Sequence, residues 1–235
     1  MQPLAGNSLK TNKKMSKQAF QQPSSKRRLT GKTLSVFVVA VLALMASCKE
    51  TNNDIEEYPD WKNSNATRFE TLYNQVRQKI AAGDTQWKLI KSFTKDQQTE
   101  GTPTDYVIAR VISEGTGERS PLFTDTVRVD YRGRLLPSTT HPDGLVFDQT
   151  WIGDYRVESV LPSKLAVDAL VNGFSTALMK MKEGDRWEIY IPQNLAYGSV
   201  KKTGIPAYST LVFDLTLRAC YSRGVVVPAW KIGKR

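Results

Sequence analysis

A chain of 235 residues with 40% hydrophobic side chains can bury a sizeable core, and its net charge of +10 would point to a polyanionic partner if the charge were spread evenly. It is not spread: residues 1–47 hold eight basic side chains (Lys10, Lys13, Lys14, Lys17, Lys26, Arg27, Arg28, Lys32) and no acidic one, leaving 25 basic against 23 acidic beyond them. The composition therefore argues against a nucleic-acid partner. A single histidine, His141 in the turn-rich run 137–144, and two cysteines argue against a Ser-His-Asp or Cys-His centre and a clustered metal site.

In chain order, Lys26-Arg27-Arg28 precedes an uncharged run over 34–47 and then Cys48. Fourteen residues are too few to span hydrocarbon but suit the apolar part of a secretion signal behind a basic segment. Leu44-Met45-Ala46-Ser47-Cys48 resembles the lipobox of bacterial lipoproteins, with Met45 where leucine is usual. The resemblance implies a signal peptide over 1–47 and lipidation of Cys48 as the mature N-terminus. Cys220 would then be the only thiol left, and no intramolecular disulfide could form.

Residues 48–64 are polar and acidic, as in a flexible tether. An N-terminal helical segment is expected over 65–104: Phe69, Leu72, Tyr73, Val76 and Ile80 form one helical stripe, Gly83 is placed to end it, and Trp87, Leu89, Ile90 and Phe93 come after it. Such a helix must bury its stripe either on the domain downstream or on a second copy, as a homodimer. The residues alone do not choose. A boundary loop over 92–104 leads into the main domain, expected over 105–220, with a tail over 221–235.

Strands are expected over 106–112 and 126–134, the latter with Val127, Val129, Tyr131 and Gly133 on one face and Arg128, Asp130, Arg132 and Arg134 on the other. Extended structure resumes at Val146-Phe147-Asp148, and Tyr155-Arg156-Val157 is a candidate short strand in an ambiguous run. Phe174, Ala177, Leu178 and Met181 mark a short helix closed by Gly184. Strands over 186–191 and 211–217 flank a loop carrying Tyr197 and Ile205, too apolar for a linker and placed to fold over a pocket. One short helix against antiparallel strands is an α+β layer.

Six stretches in order, Val129-Asp130-Tyr131-Arg132-Gly133-Arg134-Leu135, Val146-Phe147-Asp148, Val171-Asn172-Gly173-Phe174, Trp187-Glu188-Ile189-Tyr190-Ile191-Pro192, Leu195-Ala196-Tyr197-Gly198 and 204–214, together resemble the FK506-binding-protein (FKBP) type of peptidyl-prolyl cis-trans isomerase. The resemblance implies a five- to six-stranded antiparallel sheet wrapped around one short helix, with a shallow aromatic pocket between them. It implies catalytic roles for Tyr131, Asp148 and Tyr197. Phe147, Tyr155, Leu170, Val171, Phe174, Ile205 and Phe213 would bind the proline, and Phe174 stands where the family usually has tryptophan.

The resemblance thus implies an isomerase of Xaa-Pro bonds in exported proteins, lipid-anchored in a bacterial cell envelope, needing no cofactor or metal, with FK506-like macrolides as further ligands. The rival is a catalytically weak binding module or chaperone using the same groove. A scaffold built around the N-terminal helix is a third reading.

Overall fold

The computed structural model describes residues 55–232. The signal segment, Cys48 and the start of the tether lie outside the described residues.

The first helix, α1, runs Trp61–Ala81 and so opens at Trp61 rather than at Asn65. The polar run between these two hides the extra turn, yet both are buried. Asn65 can be buried because its amide is satisfied: it donates to the Trp61 carbonyl at 2.9 Å and accepts from the Thr210 N–H at 2.8 Å. The far end closes as expected at Gly83, in left-handed conformation with φ 91°. There the N–H groups of Gly83 and Asp84 return to the carbonyls of Ile80 and Lys79, each at 3.0 Å. The tether also ends earlier than expected, since the Glu57 carboxylate bonds Ser138 and Thr140 across the domain.

Strands β1 (Trp87–Lys91), β2 (Tyr106–Ser113), β3 (Thr126–Leu135), β4 (Val146–Gln149), β5 (Ser163–Ala166), β6 (Arg186–Ile191) and β7 (Leu211–Tyr221) form one antiparallel sheet. Its order is β1-β2-β6-β7-β3-β4, with β5 pairing the first half of β3 and β4 the second. The α+β layer expected from sequence is present, with seven strands. β1 falls in the segment read as helical. It is covered on both faces, Trp87 and Leu89 beneath α1 and Ile90 in the main core, so it lacks the alternation of a half-exposed strand. Tyr155-Arg156-Val157 is not a strand, because a single 3-10 turn over Val157–Ser159 takes its place.

The two faces of the sheet carry two cores. On one side α1 lays Phe69, Tyr73 and Val76 over Ile108, flanked by Tyr106 and Tyr190, so these three residues of its stripe are buried within their own chain, Leu72 is partly buried and Ile80 is left exposed. On the other side lies the second helix, α2 (Asn172–Leu178), whose Ala177 and Leu178 belong to one buried core with Val107, Val129, Trp187 and Leu215. Asp130 departs from the expected wet face and is 0% exposed. A bulge shifts the β3–β7 pairing between Arg128 and Val129, and the loop before β5 covers this face. The Tyr155 hydroxyl donates to Asp130 at 2.7 Å and Arg218 pairs with it at 2.5 Å. Burial raises the Asp130 carboxyl above its ordinary range, and these two partners oppose that rise.

Candidate active site

At the N-terminal end of α2 a cavity of about 290 Å³ opens between helix and sheet. Three elements supply its aromatic walls: Tyr131 from β3, Phe147 from β4 and Phe213 from β7, with Phe174 from α2 as floor. Phe213 stands at the centre. Its ring centroid lies 4.9 Å from Phe174 and 5.6 Å from Phe147, nearly perpendicular to each, and 6.2 Å from Tyr131. Edge-to-face packing of this kind fixes the rings and leaves their remaining surfaces toward the cavity. Gly133 makes room for it, because a Cβ there would lie 2.6 Å from both Phe147 and Phe213.

The polar groups are few and placed. The Tyr131 hydroxyl donates to Asp148 Oδ2 at 2.7 Å, a pairing set up by the register that puts Gly133 opposite Asp148. Burial first, and then the Asp148 carboxylate, push the Tyr131 phenol up to about 12, so it remains a donor at any physiological pH. Val171 caps α2 with its carbonyl, which accepts from Phe174 N–H at 2.9 Å and Ser175 N–H at 3.1 Å. Its own N–H donates to none of the described residues. Tyr197, 37% exposed at the rim, has Lys202 Nζ 5.5 Å from its ring centroid.

Of the residues singled out from sequence, Tyr131, Phe147, Asp148, Leu170, Val171, Phe174, Tyr197 and Phe213 all line this cavity. Tyr155 and Ile205 do not. Tyr155 is turned onto Asp130, with the Trp151 ring tilted against it at 4.6 Å and the Arg186 guanidinium 4.5 Å from its ring centroid, and burial pushes its phenol up to about 12. Ile205 is 6% exposed and lines a neighbouring cavity instead. Leu165, Ala169 and Leu211 complete the wall; Leu211 lies in the expected strand over 211–217, whereas Leu165 and Ala169 carry no motif that marks them in the sequence. Leu165 becomes visible only once β5 is paired with β3. The cavity thus offers an apolar box with one acidic pair at its edge and one free backbone donor. It holds no nucleophile beside a base, and among the described residues no cluster of His, Cys, Asp and Glu fits a metal ion.

Residues 117–218 match the family described as FKBP-type peptidyl-prolyl cis-trans isomerase. The macrophage infectivity potentiator of Trypanosoma cruzi is 39% identical over 116 residues, covering 49% of this chain and 53% of that protein. The FKBP-type 22 kDa peptidyl-prolyl cis-trans isomerase of Escherichia coli is 40% identical over 109 residues, 46% of this chain and 47% of that one. The outer membrane protein MIP of Legionella longbeachae is 35% identical over 109 residues, 46% of this chain and 41% of the other. The chain spans about half the length of the curated relatives it matches.

Proposed function

We propose that this chain, whose residues 117–218 match the FKBP-type family, is a peptidyl-prolyl cis-trans isomerase that acts on exported proteins in the bacterial cell envelope. The observation that carries the reading is the box formed around Phe213, with Val171 N–H and the Tyr131–Asp148 pair at its edge. Rotation about an Xaa-Pro bond is opposed by about 18–20 kcal/mol, because the planar amide has partial double-bond character. The charge-separated form responsible for that character is favoured by water. Moving the amide against Phe147, Phe174 and Phe213 removes water from it and disfavours that form, which lowers the barrier to the twisted state. No covalent intermediate is required. The Val171 N–H and the Tyr197 hydroxyl would orient substrate carbonyls, and Asp148, holding the Tyr131 hydroxyl, would order the rim.

The envelope location rests on Cys48 and its lipobox-like surroundings, and the Legionella relative, an outer membrane protein, accords with it. FK506-like macrolides would occupy the same box and compete with peptide. Phe174 in place of tryptophan favours a second reading, a binding module that holds proline-containing segments with little turnover. A protease-free isomerisation assay on Xaa-Pro peptides separates the two. Measurable catalysis that a macrolide competes away supports the isomerase. Peptide binding without catalysis, in both the natural protein and Phe174→Trp, would establish the binding module instead.

A further inference from the structure

Past the C-terminal end of α2, away from the aromatic box, lies a larger cavity of about 560 Å³ that shares no lining residue with the box. Three neighbouring strands contribute to it, through Lys88 and Ile90 of β1, Val111 of β2 and Trp187 of β6. Lys180 and Lys182 come from the connection between α2 and β6, and Lys91 completes a set of four lysines. β1 precedes the stretch 117–218 that matches the family, whereas Lys180, Lys182 and Trp187 fall within it, so the cavity is assembled across that boundary.

The charges of this lining are not balanced. Lys88, Lys180 and Lys182 take part in no ion pair among the described residues. Lys91 Nζ donates to the Asp96 and Thr99 carbonyls, which leaves it one further donor. Two carboxylates share the lining with these four ammoniums, Asp185 and the exposed Glu114. Asp185 is already committed: it is buried and accepts from Gly115 N–H at 2.7 Å and Lys182 N–H at 2.8 Å, which ties the loop after β2 to the turn before β6. A second observation points the same way. Trp187 is 3% exposed, with Lys88 Nζ 5.9 Å from its ring centroid, yet its indole Nε1–H has no acceptor among the described residues. A buried donor without an acceptor is costly and calls for a partner from outside the chain.

We propose that this cavity binds a phosphate monoester, held by Lys88, Lys180 and Lys182 beside the Trp187 indole and carried either by a lipid headgroup or by a small soluble molecule. A carboxylate brings one charge and two oxygens. A phosphate monoester brings nearly two charges and three strong acceptors, a better match to three uncommitted ammoniums and an unpaired indole N–H. The volume exceeds what a bare phosphate fills and lies among small-molecule sites, which span about 300–1,000 Å³. The site stands apart from the isomerase reading.

The test uses the full chain at constant ionic strength with three probes: glycerol 3-phosphate, acetate, and phosphatidylcholine vesicles with or without phosphatidic acid. The vesicle arm carries Cys48→Ala throughout, so that no acyl chain contributes. Binding is followed by calorimetry and by the indole N–H resonance of Trp187, identified by its absence from Trp187→Phe. Glycerol 3-phosphate should bind saturably and shift that resonance, and acetate should do neither. The double variant Lys88→Ala, Lys182→Ala should weaken binding by about tenfold, the loss expected for charged donors, with its melting curve in place. If phosphatidic acid vesicles capture the natural protein about tenfold better than the double variant, and glycerol 3-phosphate competes, the phosphate belongs to a lipid headgroup. Lysine-dependent binding of glycerol 3-phosphate without such capture assigns it to a soluble ester. Failure of both probes to distinguish the natural protein from the double variant would overturn the proposal, and so would acetate binding as tightly as glycerol 3-phosphate.

Discussion

Tyr131 and Asp148 hold the acidic pair of the aromatic box, and their linkage has a definite direction in pH. A phenol whose folded pKa is raised favours its protonated form. Its contribution to stability is complete below its unfolded value of 10.0 and is lost as pH rises through about 12. No step in kcat/KM should therefore arise from Tyr131 between pH 7 and 10, and a pH profile showing one, removed by Tyr131→Phe, would contradict the pairing. At the floor, a phenyl ring presents less flat apolar surface than an indole. Phe174 should therefore leave a bound proline less fully desolvated by about 1 kcal/mol, roughly fivefold in turnover. Phe174→Trp should keep or raise activity. Asp148→Ala should lower it on the order of tenfold while the domain stays folded, since it leaves one hydroxyl at a half-open edge without its acceptor. Stopped assays on the three proteins, with near-UV dichroism to check folding, would show whether activity falls independently of structure.

α1 shows how an element can be legible in its pattern and concealed in its placement. The spacing of Phe69, Tyr73 and Val76 declares a helix, but that its stripe lies over Ile108 follows only from β2 being covered on that side. Because Phe69 is buried there, Phe69→Ala should cost about 3–5 kcal/mol and lower Tm by on the order of 10 °C. A melting curve unchanged by Phe69→Ala would mean that the helix contributes nothing to the fold. The same contrast separates what else the residues revealed. Tyr131, Phe147, Asp148, Phe174 and Phe213 sit in stretches whose alternation and motif are local, so their convergence is foreseeable. Leu165 depends on a four-residue strand exposed on alternate residues, and Asp130 depends on a bulge, neither of which leaves a periodic trace. The Trp61–Ser209 hydrogen bond joins residues 148 apart in sequence, a pairing that no local pattern carries.

Across the whole molecule, charge and family likeness are divided between different parts of the chain. The excess positive charge lies in residues 1–47, whereas the family match covers 117–218 and the chemistry of the aromatic box lies within it. Among the described residues no helix is long and apolar enough to cross a membrane. The lipobox-like segment of the sequence places the proposed attachment at Cys48. One acyl chain binds a bilayer only marginally, so a cysteine carrying two or three chains is what stable anchoring requires. Intact mass spectrometry of the mature protein should find Cys48 as the first residue with two or three acyl chains. Cys48→Ala should release the protein from the membrane fraction while leaving isomerisation of a short peptide within about twofold, because the substitution lies far outside the family domain in sequence. A Cys48→Ala protein that still sediments with membranes, its N-terminus unmodified, would remove the lipid anchor and the location inferred from it.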